Sequence, residues 1–269
     1  MIKNISQADI FITHDLGDKK QVPFLFLHGF IGSVESWSQI ISKLDHPYIL
    51  IDLPGHGKSK FCNSLEYTFS DWTSDLKHIL DKIDVHAIKL CGYSMGGRLA
   101  AAFTQAFPNI VKEIFIESSH MGIENDEDRK KRLSDDIALS NKIRNEFSQF
   151  LSDWSDINMF QMQKVRNIKA WKSQEVIRSS QDSDQLAKAL DSFSLGRMPV
   201  YQQFISKSNI PIHYINGIED SKYLEYSKSL YELNNSIVHH VIDDASHNVH
   251  LENETAYINI LNESTSYYI

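Results

Sequence analysis

Gly92-Tyr93-Ser94-Met95-Gly96 sets a serine between two glycines, where an apolar run ends and an Ala-rich helical pattern begins. A serine hydroxyl is a weak nucleophile or base until an imidazole takes its proton, and the imidazole in turn needs an orienting acid. For a serine on a strand-to-helix elbow, the partners follow in the order serine, acid, histidine. Asp220 fits the acid: it follows the strand-like "PIHYING" in the loop "IEDSKY". His247 fits the base, since it follows "HHVIDD" in "ASHNVH". Glu219 competes with Asp220, and His250 with His247. Most of the twelve histidines, among them His239 and His240, read as packing or surface residues, and Asp243 and Asp244 as loop carboxylates.

Acyl or enolate chemistry at such a serine also needs donors for a developing oxyanion. The N–H after the serine, that of Met95, supplies one. The loop "LHGFIGS" (Leu27–Ser33) supplies the other at Phe30. His28-Gly29 in that loop reads as a structural turn, and His56 in "DLPGHGKS" (Asp52–Ser59) as a loop-stabilising residue. No Cys/His set has metal-ligand spacing and no phosphate-type glycine loop is present, so no metal and no cofactor is expected.

These residues must be carried by alternating strands and helices. "PFLFLHG" (Pro23–Gly29), "HPYILID" (His46–Asp52), "HAIKLCGYS" (His86–Ser94), "VKEIFIES" (Val111–Ser118), "IPIHYING" (Ile210–Gly217) and "SIVHHVID" (Ser236–Asp243) are apolar runs suited to parallel strands buried on both faces. "VESWSQIISKL", "TFSDWTSDLKHILDKI", "GRLAAAFTQAF" and "SKYLEYSKSLYEL" read as helices between them, and "DIFITHD" as an antiparallel edge strand. The expected fold is α/β, a mostly parallel eight-stranded sheet with helices on both faces. Residues 121–207 break the rhythm, with helical, charge-rich sequence only. They are expected to form a cap inserted between two strands of a core made of 1–120 and 208–269. "NDEDRKK" (Asn125–Lys131) reads as the solvated start of a cap helix.

The net charge of −8 argues against nucleic acid or an anionic bilayer as partner. No run of about 18 apolar residues suggests a membrane span. No signal peptide is visible, and two cysteines, Cys62 and Cys91, make no disulfide framework, so a cytoplasmic setting is expected. Residues 122–200 hold 13 Lys and Arg against 13 Asp and Glu, which leaves 14 against 22 elsewhere. Six of the seven arginines (Arg129, Arg132, Arg144, Arg166, Arg178 and Arg197) fall in that window, and the seventh, Arg98, follows the serine by one helical turn. A guanidinium grips a carboxylate at two points, which an ammonium cannot do. Arginine is also an ordinary helix former, so composition alone assigns a role to none of them.

Together these motifs resemble the α/β-hydrolase superfamily along nearly the whole chain. The combination of "LHGFIGS…W", "DLPGHGKS", "GYSMGGR", "DSKY" and "SHNVHLEN" is similar, more narrowly, to the 2-succinyl-6-hydroxy-2,4-cyclohexadiene-1-carboxylate synthases of menaquinone biosynthesis. That resemblance implies a lyase that eliminates pyruvate from a substrate with three carboxylates, a small polyanion. It implies that Arg98 grips one carboxylate, that Arg132 and Arg178 come from the cap, and that Trp154 lines the pocket and Tyr93 stands beside the serine. Arg129 competes with Arg132 in register. Ser246 stands where the family usually has glycine, Glu254 where it has proline, and "ESSHMG" (Glu117–Gly122) is looser than the family's version, with His120 unexplained. Ser246 would be strained if its position needed a positive φ.

Two other functions share part of these features. A carboxylesterase or carbon–carbon bond hydrolase would share every superfamily motif, but an arginine at 98 suits no apolar acyl pocket. A non-catalytic ligand-binding protein on this fold has no need of a complete, correctly ordered triad.

Overall fold

The computed structural model describes residues 2–5, 7–17, 21–63, 65–234 and 237–265. Its strands are β1 (Ile2–Ile5), β2 (Ala8–Asp15), β3 (Phe24–Leu27), β4 (Tyr48–Ile51), β5 (Lys60–Phe61), β6 (Ile88–Tyr93), β7 (Val111–Glu117), β8 (Ile212–Gly217) and β9 (Ile237–Ile242). Eight of them run in the order β1-β2-β4-β3-β6-β7-β8-β9, and the two-residue β5 pairs with β2 as a ninth. The neighbours from β4 to β9 are parallel, whereas β2 is antiparallel to β1, β4 and β5. Each expected strand is present, with Ser236 outside the described residues. "DIFITHD" is antiparallel as expected but is not an edge, because β1 covers its outer side. β1 and β5 escaped the sequence reading: "IKNI" mixes polar with apolar residues, and β5 is too short for a period.

The helices are α1 (Ser38–Ile41), preceded by a 3₁₀ turn at Val34–Trp37, α2 (Phe69–Lys82), α3 (Met95–Ala106), α4 (Asp126–Asn145), α5 (Phe147–Ser155), α6 (Asn158–Arg166), α7 (Ile168–Ser179), α8 (Ser183–Ser192), α9 (Gln202–Lys207), α10 (Ser221–Leu233), α11 (Val249–Glu252) and α12 (Glu254–Thr265). Local chemistry sets several of their ends. Thr68 and Asp71 form a reciprocal capping box at α2. Asn125 caps α4 through the N–H groups of Glu127 and Asp128, so "NDEDRKK" does begin a helix. Among the described residues, no helix is long and apolar enough to cross a membrane.

The strand period divides the core between the two faces of the sheet. Leu25 and Leu27 of β3 pack with Trp72, Leu76, Leu99 and Phe103 of α2 and α3. Phe24 and Phe26 face the other way, against Trp37, Tyr257 and Leu261. A third cluster joins Ile31 of the loop after β3 to Ile143, Phe150, Leu186 and Leu190, with Phe30 and Trp154 against it. Helices α4–α8, between β7 and β8, therefore rest on the loop expected to hold an oxyanion donor. The tail of that segment returns to the sheet before Lys207, since Met198, Tyr201 and Ile205 belong to the first cluster.

Candidate active site

Ser94 sits at the sharpest turn in this framework. Its φ of 51° and ψ of −108° place a non-glycine residue in a sparsely populated region, which costs of order 1–3 kcal/mol unless the surroundings hold it. They do so through its backbone. The Ser94 N–H donates to the Glu117 carbonyl at 2.9 Å. Its carbonyl accepts from the Arg98 N–H at 3.2 Å and the Ser119 hydroxyl at 2.7 Å. Glycine at 96 lets α3 lie against β3: a Cβ there would stand 2.2 Å from the Leu27 carbonyl oxygen.

A cavity of about 210 Å³ opens above the serine, lined by Phe30, Tyr93, Ser94, Met95, Arg98 and His247 among others. His247 Nδ1 lies 2.7 Å from Asp220 Oδ2, and both residues are buried. Of the competitors, Glu219 is exposed and paired with Arg166. His250 is bonded to Glu117 at 2.8 Å and packed on Trp37, and it does not line the cavity with Ser94. Ser94 and His247 thus line one cavity, and Asp220 stands behind the imidazole, outside that lining. Phe30 and Met95 line it, and neither N–H meets a protein acceptor among the described residues.

The arginines divide. Arg98 is buried and lines the cavity, donating one Nη1 bond to the Phe193 carbonyl at 2.8 Å. Burial, with repulsion from Arg132, lowers its pKa to about 10, so it stays charged at neutral pH. No carboxylate lies at ion-pair distance from it among the described residues. Arg132 also lines the cavity, with its Nε 2.9 Å from both oxygens of Asp136. Arg129, its rival, reaches Asp126 at 3.7 Å and does not line the cavity. Arg144, Arg166 and Arg197 pair with Asp191, with Glu219 and Glu252, and with Glu66.

Arg178 stands apart from the expected group. Its guanidinium lies over Trp171 at 5.0 Å and Phe160 at 5.7 Å, beside a second cavity of about 30 Å³. Phe30, Tyr93, Trp154 and Phe160 line both cavities and so form the wall between them. Its Nη1 is buried without a protein partner. Trp154 and Tyr93 thus border the pocket as expected, but Arg178 reaches it only past aromatic rings.

The sequence reading passed over three residues at this site. Lys222, exposed and lining the cavity, belongs to "DSKY" and adds a cation. Asp136 lies one helical turn from Arg132, a spacing that signals the pair. Glu252 accepts from the N–H of Ser246 at 3.0 Å beside His247. His120 lines the cavity stacked on Tyr226 at 3.9 Å, its pKa lowered to about 4 by burial and by Lys222, Arg98 and Arg132. It is neutral there. His28 behaves as a turn element: its Nε2 accepts from the Leu53 N–H at 3.0 Å, which leaves Nδ1–H to donate to the Gly29 carbonyl at 2.7 Å. Ser246 has no positive φ, so the feared strain is absent. Glu254 begins α12, a first-turn position that suits an acid as well as a proline.

Comparison with known proteins bears on the fold that carries this site. The family model described as alpha/beta hydrolase fold matches residues 22–254. A 2-succinyl-6-hydroxy-2,4-cyclohexadiene-1-carboxylate synthase of Klebsiella pneumoniae is 29% identical over 236 residues, which cover 87% of this chain and 90% of the relative. The structure of MenH from S. aureus superposes with a TM-score of 0.86 at 25% identity, over 96% of this chain and 97% of that one. A thermophilic esterase from Thermogutta terrifontis superposes with a TM-score of 0.81 at 18% identity, over 98% and 97% of the two chains, a likeness of fold alone. With 22–254 matched and the elbow serine at the end of β6, the chain belongs to the alpha/beta hydrolase fold family.

Proposed function

We propose that this chain is a lyase of menaquinone biosynthesis that eliminates pyruvate from 2-succinyl-5-enolpyruvyl-6-hydroxy-3-cyclohexene-1-carboxylate, giving 2-succinyl-6-hydroxy-2,4-cyclohexadiene-1-carboxylate. The observation that carries this reading is the charge of the cavity around Ser94: Arg98, Arg132 and Lys222 line it against Asp136 alone. Such a site suits a small polyanion and disfavours a neutral ester. The likeness to the Klebsiella synthase and to MenH supports the same substrate class.

In this reading Ser94, Asp220 and His247 form the catalytic triad. The Ser94–His247 couple removes a proton from the ring carbon next to the succinyl carbonyl, and Asp220 steadies the imidazolium that results. The N–H groups of Phe30 and Met95 hold the oxyanion that develops on that carbonyl. As the electrons return through the ring, the carbon–oxygen bond to the enolpyruvyl group breaks, the leaving oxygen takes the proton held by the imidazolium, and pyruvate departs as its enol, which tautomerises. No acyl-enzyme is formed, so a hydrolase fold carries out an elimination. Residues 121–207 act as the cap and 1–120 with 208–269 as the core. Arg98, Arg132, Trp154 and Tyr93 bind substrate, and Arg178 joins them once the Phe160 ring moves aside.

Purified protein should release pyruvate from this substrate, followed by coupled reduction to lactate, and turn over p-nitrophenyl acetate slowly or not at all. Rapid ester turnover without pyruvate release would establish the hydrolase reading instead. A serine-linked adduct trapped by mass spectrometry during turnover would replace the base mechanism with a covalent one.

A further inference from the structure

The turn that carries His247 is braced by a side chain as well as by backbone bonds to the carbonyls of Ala245 and Asn248. Ser246 and Asn248 flank the imidazole, and both N–H groups point to one carboxylate, Glu252, at 3.0 and 3.4 Å. The Ser246 hydroxyl lies 2.5 Å from the same group. The Glu252 side chain is fully buried, so its charge needs a partner. The partner is Arg166 at the end of α6, with Nη1 2.7 Å from Glu252 Oε2 and its other nitrogen on Glu219. Arg166 lies 81 residues before His247 in sequence and lines no part of the cavity.

The same helix meets the same turn at two more points, and the residue after it meets α11. Met159 offers its carbonyl to the Ser246 hydroxyl at 3.1 Å. Gln163 accepts from the Asn248 side chain at 3.1 Å, and Asn167, just past α6, donates to the Leu251 carbonyl at 3.0 Å. Met159 and Phe160 also line the cavity, and the Phe160 ring centroid is 5.9 Å from that of His247. Seating α6 over the cavity therefore also delivers the counterion for the carboxylate that braces His247. Ser246 adds a hydroxyl whose single proton goes to Glu252, the nearer acceptor at 2.5 Å, with the Met159 carbonyl beside it at 3.1 Å.

We propose that Glu252, neutralised by Arg166, is a positioning residue for His247, so that α6 docking and assembly of the Ser94–His247 couple are one coupled event. This rests on the reading of Ser94 and His247 as the reacting couple. Without Arg166, the buried Glu252 must find water or a proton, and the turn loses the group that fixes both N–H bonds around the imidazole.

The test compares Arg166→Met, Arg166→Lys and Glu252→Gln with wild type, and uses Arg197→Met as a surface-arginine control. Three quantities are read: kcat and KM for pyruvate release, the rate of Ser94 modification by diisopropyl fluorophosphate, and Tm. Modification needs an imidazole-activated serine but no carboxylate recognition. Arg166→Met and Glu252→Gln should lower kcat about 10–100-fold with KM changed less than about threefold, and slow Ser94 modification by a similar factor. Arg166→Lys should recover most of both rates, and Arg197→Met should match wild type. The proposal is overturned if kcat stays unchanged in folded variants, if the loss lies in KM alone, or if Arg166→Lys is as impaired as Arg166→Met. If wild type releases no pyruvate yet Ser94 modification still depends on Arg166, the substrate assignment fails and the positioning role stands.

Discussion

His247 Nδ1 and Asp220 Oδ2 are 2.7 Å apart in a buried pair formed by two loops, one at the end of β8 and one at the end of β9. The contact fixes which ring nitrogen carries the proton and leaves Nε2 as the nitrogen available to the serine hydroxyl. Asp220→Asn should lower kcat about 10²–10⁴-fold, because an amide can present its N–H and impose the wrong tautomer. Ser94→Ala should be at least as severe, and the double variant should be little worse than either alone. Steady-state pyruvate release measures all three. Near-normal turnover by Ser94→Ala would remove the triad from the mechanism.

Arg98 has one nitrogen on the Phe193 carbonyl and the rest of its fork free for a carboxylate. With charge-assisted bonds contributing about 1.5–3 kcal/mol each, Arg98→Ala should cost about 10²–10⁴-fold in kcat/KM. Arg98→Lys should recover only part, since an ammonium cannot hold the carbonyl and a carboxylate in the same plane. Neutral-ester turnover should be indifferent to either change. Unchanged kinetics with the anionic substrate would end the charge-gripping account.

Arg132 and Asp136 make a sharper test, because both line the cavity. Arg132→Ala leaves the Asp136 carboxylate without its cation, though still accepting from the Ser194 hydroxyl at 2.7 Å, and facing an anionic substrate, so it removes an attraction and adds a repulsion. Arg132→Ala should therefore raise KM more than Arg132→Ala with Asp136→Asn, a coupling of about 1–3 kcal/mol in a double-mutant cycle. Arg129→Ala, at the half-buried position one turn earlier, should stay within about twofold of wild type. Additive effects at 132 and 136 would show that the pair does not act on substrate as a unit.

The division between what could be read in the sequence and what could not has a physical basis. β3, β6 and β7 were legible because strands buried on both faces are nearly continuous apolar runs, and Ser94 and Asp220 because each follows such a run; His247 follows β9, an edge strand on which Val238 and Val241 are exposed, and was legible through its place after the acid. Arg98 was legible through its one-turn spacing from the elbow. The Glu252–Arg166 ion pair was not, since it joins residues 86 apart and no local period announces it. Nor was the wall between Arg98 and Arg178, which depends on where the Phe160 ring packs once α6 is seated. His250 competed with His247 in the sequence, and its bond to Glu117 and its packing on Trp37, neither of them a local signal, set it aside.

Gly96 tests the elbow from the side of packing. An alanine Cβ there would stand 2.2 Å from the Leu27 oxygen and 2.6 Å from that of His28, both backbone atoms. Neither can swing aside, so α3 must move off β3 at a cost of about 1–3 kcal/mol. Tm should fall by about 2–4 °C for each kcal/mol. The shift separates Met95, at the start of α3, from Phe30, three residues past Leu27, so kcat should fall by more than about tenfold even where the variant is fully folded. A Gly96→Ala protein with full activity and unchanged Tm would mean that the close approach is not needed.

The last prediction concerns acid stability. Burial lowers His28 to a pKa of about 4, partly offset by its bond to Gly29, and burial together with His28 lowers His56 to about 3. In the unfolded chain both take up protons near 6.5. Between about pH 6.5 and 4 the unfolded state therefore binds more protons than the folded one, and stability must fall as pH falls through that window. Above 6.5 the contribution is complete; below about 4 His28 has nothing further to lose. A shift of this size makes His28 alone responsible for on the order of 3 kcal/mol of acid sensitivity. His28→Gln should cost about 1–2 kcal/mol at pH 7.5, because the amide, though it carries an acceptor and a donor, cannot place both where the ring holds Nε2 on the Leu53 N–H and Nδ1 on the Gly29 carbonyl. In return it should flatten the dependence below pH 6.5, so that the urea midpoints of variant and wild type converge as pH approaches 4. Parallel midpoint curves for the two proteins across that range would show that His28 is not buried in its neutral form.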